Sequence, residues 1–160
     1  MPRPGTLLAA ALIGLASLST LGGCQSGGNA AGGASDMTNA IEKLAGDWVL
    51  KQIEGTDVAS LLPAGAKAPS LNFGSDGRVS GFGGVNRLAG GLDLGALTKG
   101  DFKLGQMIST KMAGPPESMQ LEDRFTRLLG EATGLKFGSG DSLSLTKGGT
   151  SLLDFVRAPK

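Results

Sequence analysis

The 160-residue chain contains no histidine and no tyrosine, and it has one tryptophan and one cysteine, Cys24. Histidine is the usual base near neutral pH and the commonest metal ligand. Its absence, with a single thiol, excludes zinc fingers, Ser-His-Asp and Cys-His catalytic sites, and any disulfide within the chain. No metal and no cofactor is therefore expected. An excess of one charge sign is also missing: 15 Lys+Arg stand against 14 Asp+Glu. With no basic stripe, nucleic acid is not an expected partner. The uncharged apolar run at residues 7–21 is shorter than the ~20 residues a membrane-spanning helix needs. Glycine, by contrast, is abundant, with 28 residues, which points to a turn-rich, all-β domain with a flexible segment.

The N-terminus has the layout of a secretory signal peptide. Arg3 stands beside the free amino group, the apolar run follows, and Gly22-Gly23 precede Cys24. Leu21-Gly22-Gly23-Cys24 resembles a bacterial lipobox. That resemblance implies cleavage after residue 23 and diacylglyceryl transfer to the Cys24 thiol. Two or more acyl chains give stable anchoring where one would not. Gln25, rather than Asp, follows the cysteine. By the sorting pattern of Gram-negative lipoproteins, that implies the periplasmic face of the outer membrane. Residues 24–40 then form a lipidated, Gly/Ser/Ala-rich leash without an apolar period. The globular domain occupies 41–160 and is expected to be monomeric.

Within that domain DWVLKQIEG (47–55) reads as a first strand with Trp48 as a core anchor. LNFGSDGRVSG (71–81) reads as a hairpin. A loop of Ser75-Asp76-Gly77 pairs Phe73 with Val79 and Leu71 with Gly81 on one face, and Gly77 supplies the positive φ of a G1 bulge. The same logic closes LSLTKGGTSLLDF (143–155) around Gly148-Gly149-Thr150, pairing Leu145 with Leu153 and Leu143 with Phe155. DFKLGQMIS (101–109) reads as a strand pair or a bulged strand. PESMQLEDRFTRLLGEATG (116–134) is predicted to be a helix, with Leu121, Phe125, Leu128, Leu129 and Ala132 on one face and Asp123 paired with Arg127.

SGFGGVNRLAGGL (80–92) raises the question of a phosphate cradle. Asn86 stands where a third glycine of G-x-G-x-x-G is due, and no amphipathic helix begins there. These glycines are therefore read as bends of a sheet curling toward a barrel, with Asn86 and Gly90-Gly91 continuing the turn.

The order of these signals resembles the META (HslJ-like) domain family. The residues that carry it are Trp48-Val49-Leu50; Phe73-x-x-Asp76-Gly77-Arg78-Val79-x-Gly81; Gly84-x-Asn86-Arg87; and Ser109-Thr110-Lys111-Met112-Ala113. The helix with Phe125 and Leu129 and the closing Leu143-x-Leu145 strand follow. The resemblance implies an antiparallel, partly open (cracked) β-barrel of about seven or eight short strands with one packed α-helix. It also implies an envelope lipoprotein tied to stress responses. Many members carry cysteines where this chain has Val85 and Gly114, so this chain must rely on packing there.

The function expected is a non-enzymatic binding module of the bacterial cell envelope. It would be held to the membrane through lipid on Cys24 and take an envelope protein or an apolar ligand. The alternative is an inhibitor or chaperone-like module acting through a loop or sheet edge. The polar motif positions Asn86, Arg87, Thr110 and Lys111 are candidate binding residues, with turn capping and solvated cations as the competing explanation. Phe73, Val79, Met107, Met112, Phe125 and Leu129 are candidates to line an interior, or simply to fill it. No catalytic residue is assigned. Ser109 and Lys111 share a strand face but nothing marks a lysine of lowered pKa, and Glu122 and Asp123 diverge on a helix.

Overall fold

The computed structural model describes residues 32–159, with side chains from Thr38 onward. The expected signal peptide (1–23), the expected lipidation site Cys24 and the part of the expected leash up to residue 31 lie outside the described residues.

Helix α1 (Gly32–Leu44) leads into β1 (Gly46–Ile53), β2 (Thr56–Asp57) and a 3-10 turn at Val58–Ser60. Next come β3 (Ser70–Phe73), β4 (Arg78–Phe82), β5 (Arg87–Gly91), the short helix α2 (Leu94–Leu97) and β6 (Ile108–Ser109). Helix α3 (Pro116–Glu131), β7 (Gly134–Phe137), β8 (Ser142–Lys147) and β9 (Thr150–Arg157) complete the chain. One antiparallel sheet runs β6-β5-β4-β3-β1-β9-β8-β7, with β2 beside β1. The segment between α2 and β6, not an edge strand, reaches across to the β7 end of the sheet. Asp101 bridges Gly134, and the Phe102 N–H donates to the Thr133 carbonyl at 2.9 Å. The barrel is thus partly open, and α3 packs its Leu121, Phe125, Leu128 and Leu129 into the core.

Alternation explains the core. Trp48 and Leu50 point inward two residues apart, but Ile53, not Gln52, continues the series. A bulge at Lys51 accounts for the change: Leu50 pairs with Phe155 and Gln52 with Asp154, which shifts the phase by one. Phe125 meets Phe155 edge-on at 6.3 Å, and Phe73 meets Phe102 in the same manner.

The first hairpin has the register read from the sequence, with Phe73 opposite Val79 and Leu71 opposite Gly81. Gly77 sits at φ +82°, and a Cβ there would lie 3.2 Å from the Leu92 carbonyl and from Leu94 Cγ. Gly77→Val should therefore cost about 3 kcal/mol through backbone strain and crowding. Urea unfolding checks this, and Gly77→Asn should cost visibly less because Asn tolerates this conformation. Equal losses would place the cost elsewhere.

The C-terminal hairpin corrects the reading in part. Leu145 does pair with Leu153 and Leu143 with Phe155, but Lys147 pairs with Thr150. The turn is therefore the two-residue Gly148-Gly149, at φ +57° and +87°. A bulge at Leu152 absorbs the extra residue that a three-residue loop had been invoked to supply. Residues 87–91 form a strand rather than a continued turn. The 101–109 segment keeps only the two-residue β6 and isolated bridges. Helix α3 ends at Glu131, short of Gly134. Arg127 pairs with Glu131 at 3.4 Å, not with Asp123.

Helix α1 begins inside the stretch read as leash. Its hold on the barrel is tertiary, which composition does not reveal. Leu44 is buried and Ile41 packs on the core. Trp48 Nε1 donates to the Leu44 carbonyl at 2.7 Å. Arg157 donates to the carbonyls of Ala45 (2.8 Å) and Lys43 (2.6 Å) while its guanidinium lies 4.4 Å from the Trp48 ring centroid. A cation on the last carbonyls of a helix satisfies acceptors that the helix leaves open. Arg157→Ala should speed amide exchange of residues 38–45 while leaving β8 protected, at about 1–2 kcal/mol of stability. Unchanged exchange in α1 would show that Arg157 does not hold it.

Candidate functional site

The motif residues converge at the end of the sheet opposite α1. There β4 turns into β5 through residues 83–86, closed by the Gly83 N–H donating to the Asn86 carbonyl at 2.8 Å. The turn lies directly on α3. A Cβ on Gly83 would come within 2.7 Å of Glu122 Oε2, and one on Gly84 within 3.1 Å of the Ser118 carbonyl. The glycines are needed for this approach.

What they approach is a buried carboxylate. Glu122 Oε2 accepts the N–H groups of Val85 (2.9 Å) and Asn86 (2.6 Å), and Oε1 accepts Asn86 Nδ2 at 2.7 Å. The glycine turn is thus an anion cradle after all, and its anion is the protein's own side chain. Successive N–H groups aimed at one oxygen form the kind of nest that elsewhere holds phosphate.

Asn86 carries the network onward. Its Nδ2 also donates to the Met112 carbonyl (3.2 Å), and its Oδ1 accepts the Met112 N–H (2.6 Å) and Thr110 Oγ1 (2.9 Å). Two donors and two acceptor positions are the full capacity of a carboxamide. Asn86, a candidate binding residue, therefore has nothing left for a ligand. Thr110 Oγ1 accepts the Arg87 N–H at 3.1 Å, and the Thr110 N–H donates to the Arg87 carbonyl at 3.1 Å. Ile108 pairs with Ala89, Thr110 bonds Arg87, and Met112 bonds the Asn86 side chain as if it were the next peptide. The amide extends the β5–β6 ladder beyond the strand.

Arg87 and Lys111 are exposed, and neither has an ion pair among the described residues. Ser109 and Lys111 lie on an exposed edge. Phe73, Val79, Phe125 and Leu129 belong to the packed core. Met112 corrects the reading of an interior: it is 62 % exposed. Asn86 pins its main chain at the surface and leaves its side chain outside. Met107 is half-buried, and with Leu88, Leu104, Thr126, Leu129 and Gly130 it lines a surface groove of about 250 Å³ between the sheet and α3.

Glu122 was weighed in the sequence only as a possible catalytic partner of Asp123 and set aside, and its role as the acceptor in this turn went unread. It precedes Phe125 by three and Leu129 by seven positions, so it falls on the apolar stripe of α3. A carboxylate there requires partners, and that was the available signal. Positions 85 and 114 also meet, since a Cβ built on Gly114 would lie 3.3 Å from Val85 Cβ. At the far end of α3, the Lys147 ammonium hydrogen-bonded to Glu131 holds that carboxyl below its ordinary pKa.

These features define a small, partly open antiparallel barrel whose hairpin turn is locked onto its helix by an internal carboxylate. The META domain family model matches residues 41–160, and the chain belongs to the META domain family. An NMR structure of a protein from Burkholderia xenovorans is 27% identical, with a TM-score of 0.56 over 77% of this chain and 89% of that one. Another NMR structure, 18% identical, has a TM-score of 0.55 over 74% of this chain and 93% of that one, a likeness of fold. The chain has no significant match among curated proteins.

Proposed function

We propose that this protein is a lipid-anchored META domain of the bacterial cell envelope, a non-enzymatic, stress-linked module that binds a partner protein at its surface. One observation carries the reading. The large inward side chains, Trp48, Phe102, Phe125 and Phe155 among them, fill the barrel, whereas Ile108 and Met112 stand 65 % and 62 % exposed on one edge. These are the two most exposed large apolar side chains among the described residues, and their gathering on one edge, rather than scattering singly, supports a contact surface there. The motif residues Asn86 and Thr110 hold that surface in place. The lipobox-like Leu21-Gly22-Gly23-Cys24 supports the anchor, and Gln25 supports the outer membrane.

Mass spectrometry of the N-terminal peptide from envelope membranes tests the anchor: Cys24 should carry a diacylglyceryl thioether. An unmodified thiol, or cleavage elsewhere, would remove it. Site-specific photo-cross-linking of the full chain in cells tests the module. A discrete protein adduct from an exposed position, absent with an unrelated lipoprotein, is the expected result. No adduct from any face would end the partner reading.

The groove beside Met107 favours a second reading, a small apolar ligand. Native mass spectrometry of the detergent-free protein should then show a stoichiometric mass that organic extraction removes. A bare chain mass eliminates it.

A further inference from the structure

From the edge at residues 108–112 we infer a strand-addition site for an extended, acidic segment of a partner protein with apolar side chains at alternate positions. The inference rests on reading the domain as a protein-binding module, and it names the surface and the chemistry of the partner.

Main-chain groups alternate in direction along a strand. The N–H of Thr110 faces β5, and the N–H and C=O of Met112 face Asn86. The N–H and C=O of Ser109 and Lys111 therefore point away from the sheet. β6 is the terminal strand on this side, and residues 108–113 are all exposed. Edges of this kind accept an added strand through main-chain hydrogen bonds, with side-chain pockets providing specificity.

Two observations set the partner's chemistry. Beside the edge, Arg87, Leu88, Ala89, Ile108, Ser109 and Thr110 line a shallow, largely apolar depression of about 210 Å³, which suits alternate apolar side chains of an incoming strand. Lys111 is exposed, has no ion pair among the described residues, and lies on the opposite face from Ile108 and the depression, so the intervening positions of the incoming strand should carry carboxylates. Lys111 argues against a second copy of this chain, because antiparallel self-pairing would bring the two Lys111 side chains close together on one face of the new ladder. A lysine on an edge is a common guard against pairing, but a guarded edge gains nothing from exposing Ile108 and Met112 beside it.

The test uses the full chain purified in detergent and two fluorescent peptides, one alternating valine with glutamate and the other valine with lysine. The glutamate peptide should bind more tightly by about tenfold or more, and charge reversal at the edge, Lys111→Glu, should invert the preference. Ser109→Pro deletes an outward N–H without touching the β5 ladder, so it should leave the thermal midpoint near that of the parent and abolish peptide binding. Lys111→Pro deletes the neighbouring outward donor together with the charge, and its loss of binding beyond that of Lys111→Ala serves if the first variant unfolds. Three results would overturn the site: no binding of the glutamate peptide, equal binding of both peptides, or binding indifferent to both prolines. Binding to phosphatidylglycerol vesicles that depends on Arg87 and Lys111 but not on Ser109→Pro, with the peptide ignored, would replace the strand site with a membrane contact. If peptide binding fails while cellular cross-links appear on another face, the binding module stands and this site falls.

Discussion

Glu122→Ala should cost about 4 kcal/mol of folding stability, because two buried donors and one part-buried donor lose a charged acceptor at once. The N–H groups of Val85 and Asn86 and the Asn86 amide all point at this carboxylate. Alanine leaves all three without their acceptor. For a domain of this size the thermal midpoint should fall by roughly 12–16 °C. Glu122→Gln is the informative companion. Its oxygen can still take the two main-chain N–H groups, but its NH₂ then faces the Asn86 NH₂, so it should lose about half as much. Paired urea and thermal melts read both variants. A loss below about 1 kcal/mol for Glu122→Ala would mean that water replaces the carboxylate and that the turn does not depend on it. The damage should also be local. Amide exchange should rise first at residues 83–86 and 110–113, since Asn86 passes the contact on to Met112.

How far this arrangement could be read from the chain depends on which interactions are local. The Phe73/Val79 hairpin was legible because turn chemistry and alternation agree: Gly77 fixes the loop, and the loop fixes the register. The C-terminal hairpin shows the limit. Its inward pairs followed from alternation alone, but the bulge at Leu152 did not, since nothing local distinguishes a bulged residue from a paired one. Helix α1 was missed for a different reason. Its stability comes from Trp48 and from Arg157, which is distant in sequence, and neither contributes to composition in the 32–44 window. The glycine turn was read correctly as no dinucleotide loop, yet its carboxylate lies on a helix more than thirty positions downstream. Only the misfit of Glu122 on an apolar stripe pointed there.

The same reasoning sorts the family motif. Glycine, asparagine and threonine at 83–86 and 110 are explained by the lock they build, and Trp48 and Phe73 by the core. Arg87 and Lys111 have no such explanation within the described structure, because their side chains neither brace the turn nor fill space in it. In a motif otherwise used for architecture, they are the positions left over for recognition, and Ile108 and Met112 are their apolar neighbours.

Val85→Cys/Gly114→Cys should form a disulfide that stabilises the domain by about 2–3 kcal/mol. A Cβ built on Gly114 lies 3.3 Å from Val85 Cβ, against about 3.8 Å in a relaxed disulfide, so a shift of a few tenths of an ångström suffices. The bond would close a loop of roughly thirty residues, for which chain entropy alone gives about 3.5 kcal/mol. Some is lost because the parent already packs this contact: the Val85 methyls lie 2.7 and 2.8 Å from where the Gly114 Cβ would be. Gly114→Cys alone should therefore destabilise, since Val85 occupies its space, while the pair removes both methyls and fills the gap with sulfur. The measurement uses a chain with Cys24→Ser, so that the two new thiols are the only ones. Thiol titration should find none free after air oxidation, and the thermal midpoint should exceed that of the parent and fall below it on reduction. Free thiols after oxidation, or an oxidised form no more stable than the reduced one, would show that the two segments are not held face to face. The predicted result would instead show that Val85 on Gly114 performs by packing the fastening of the 110–114 segment that a covalent bond can equally provide.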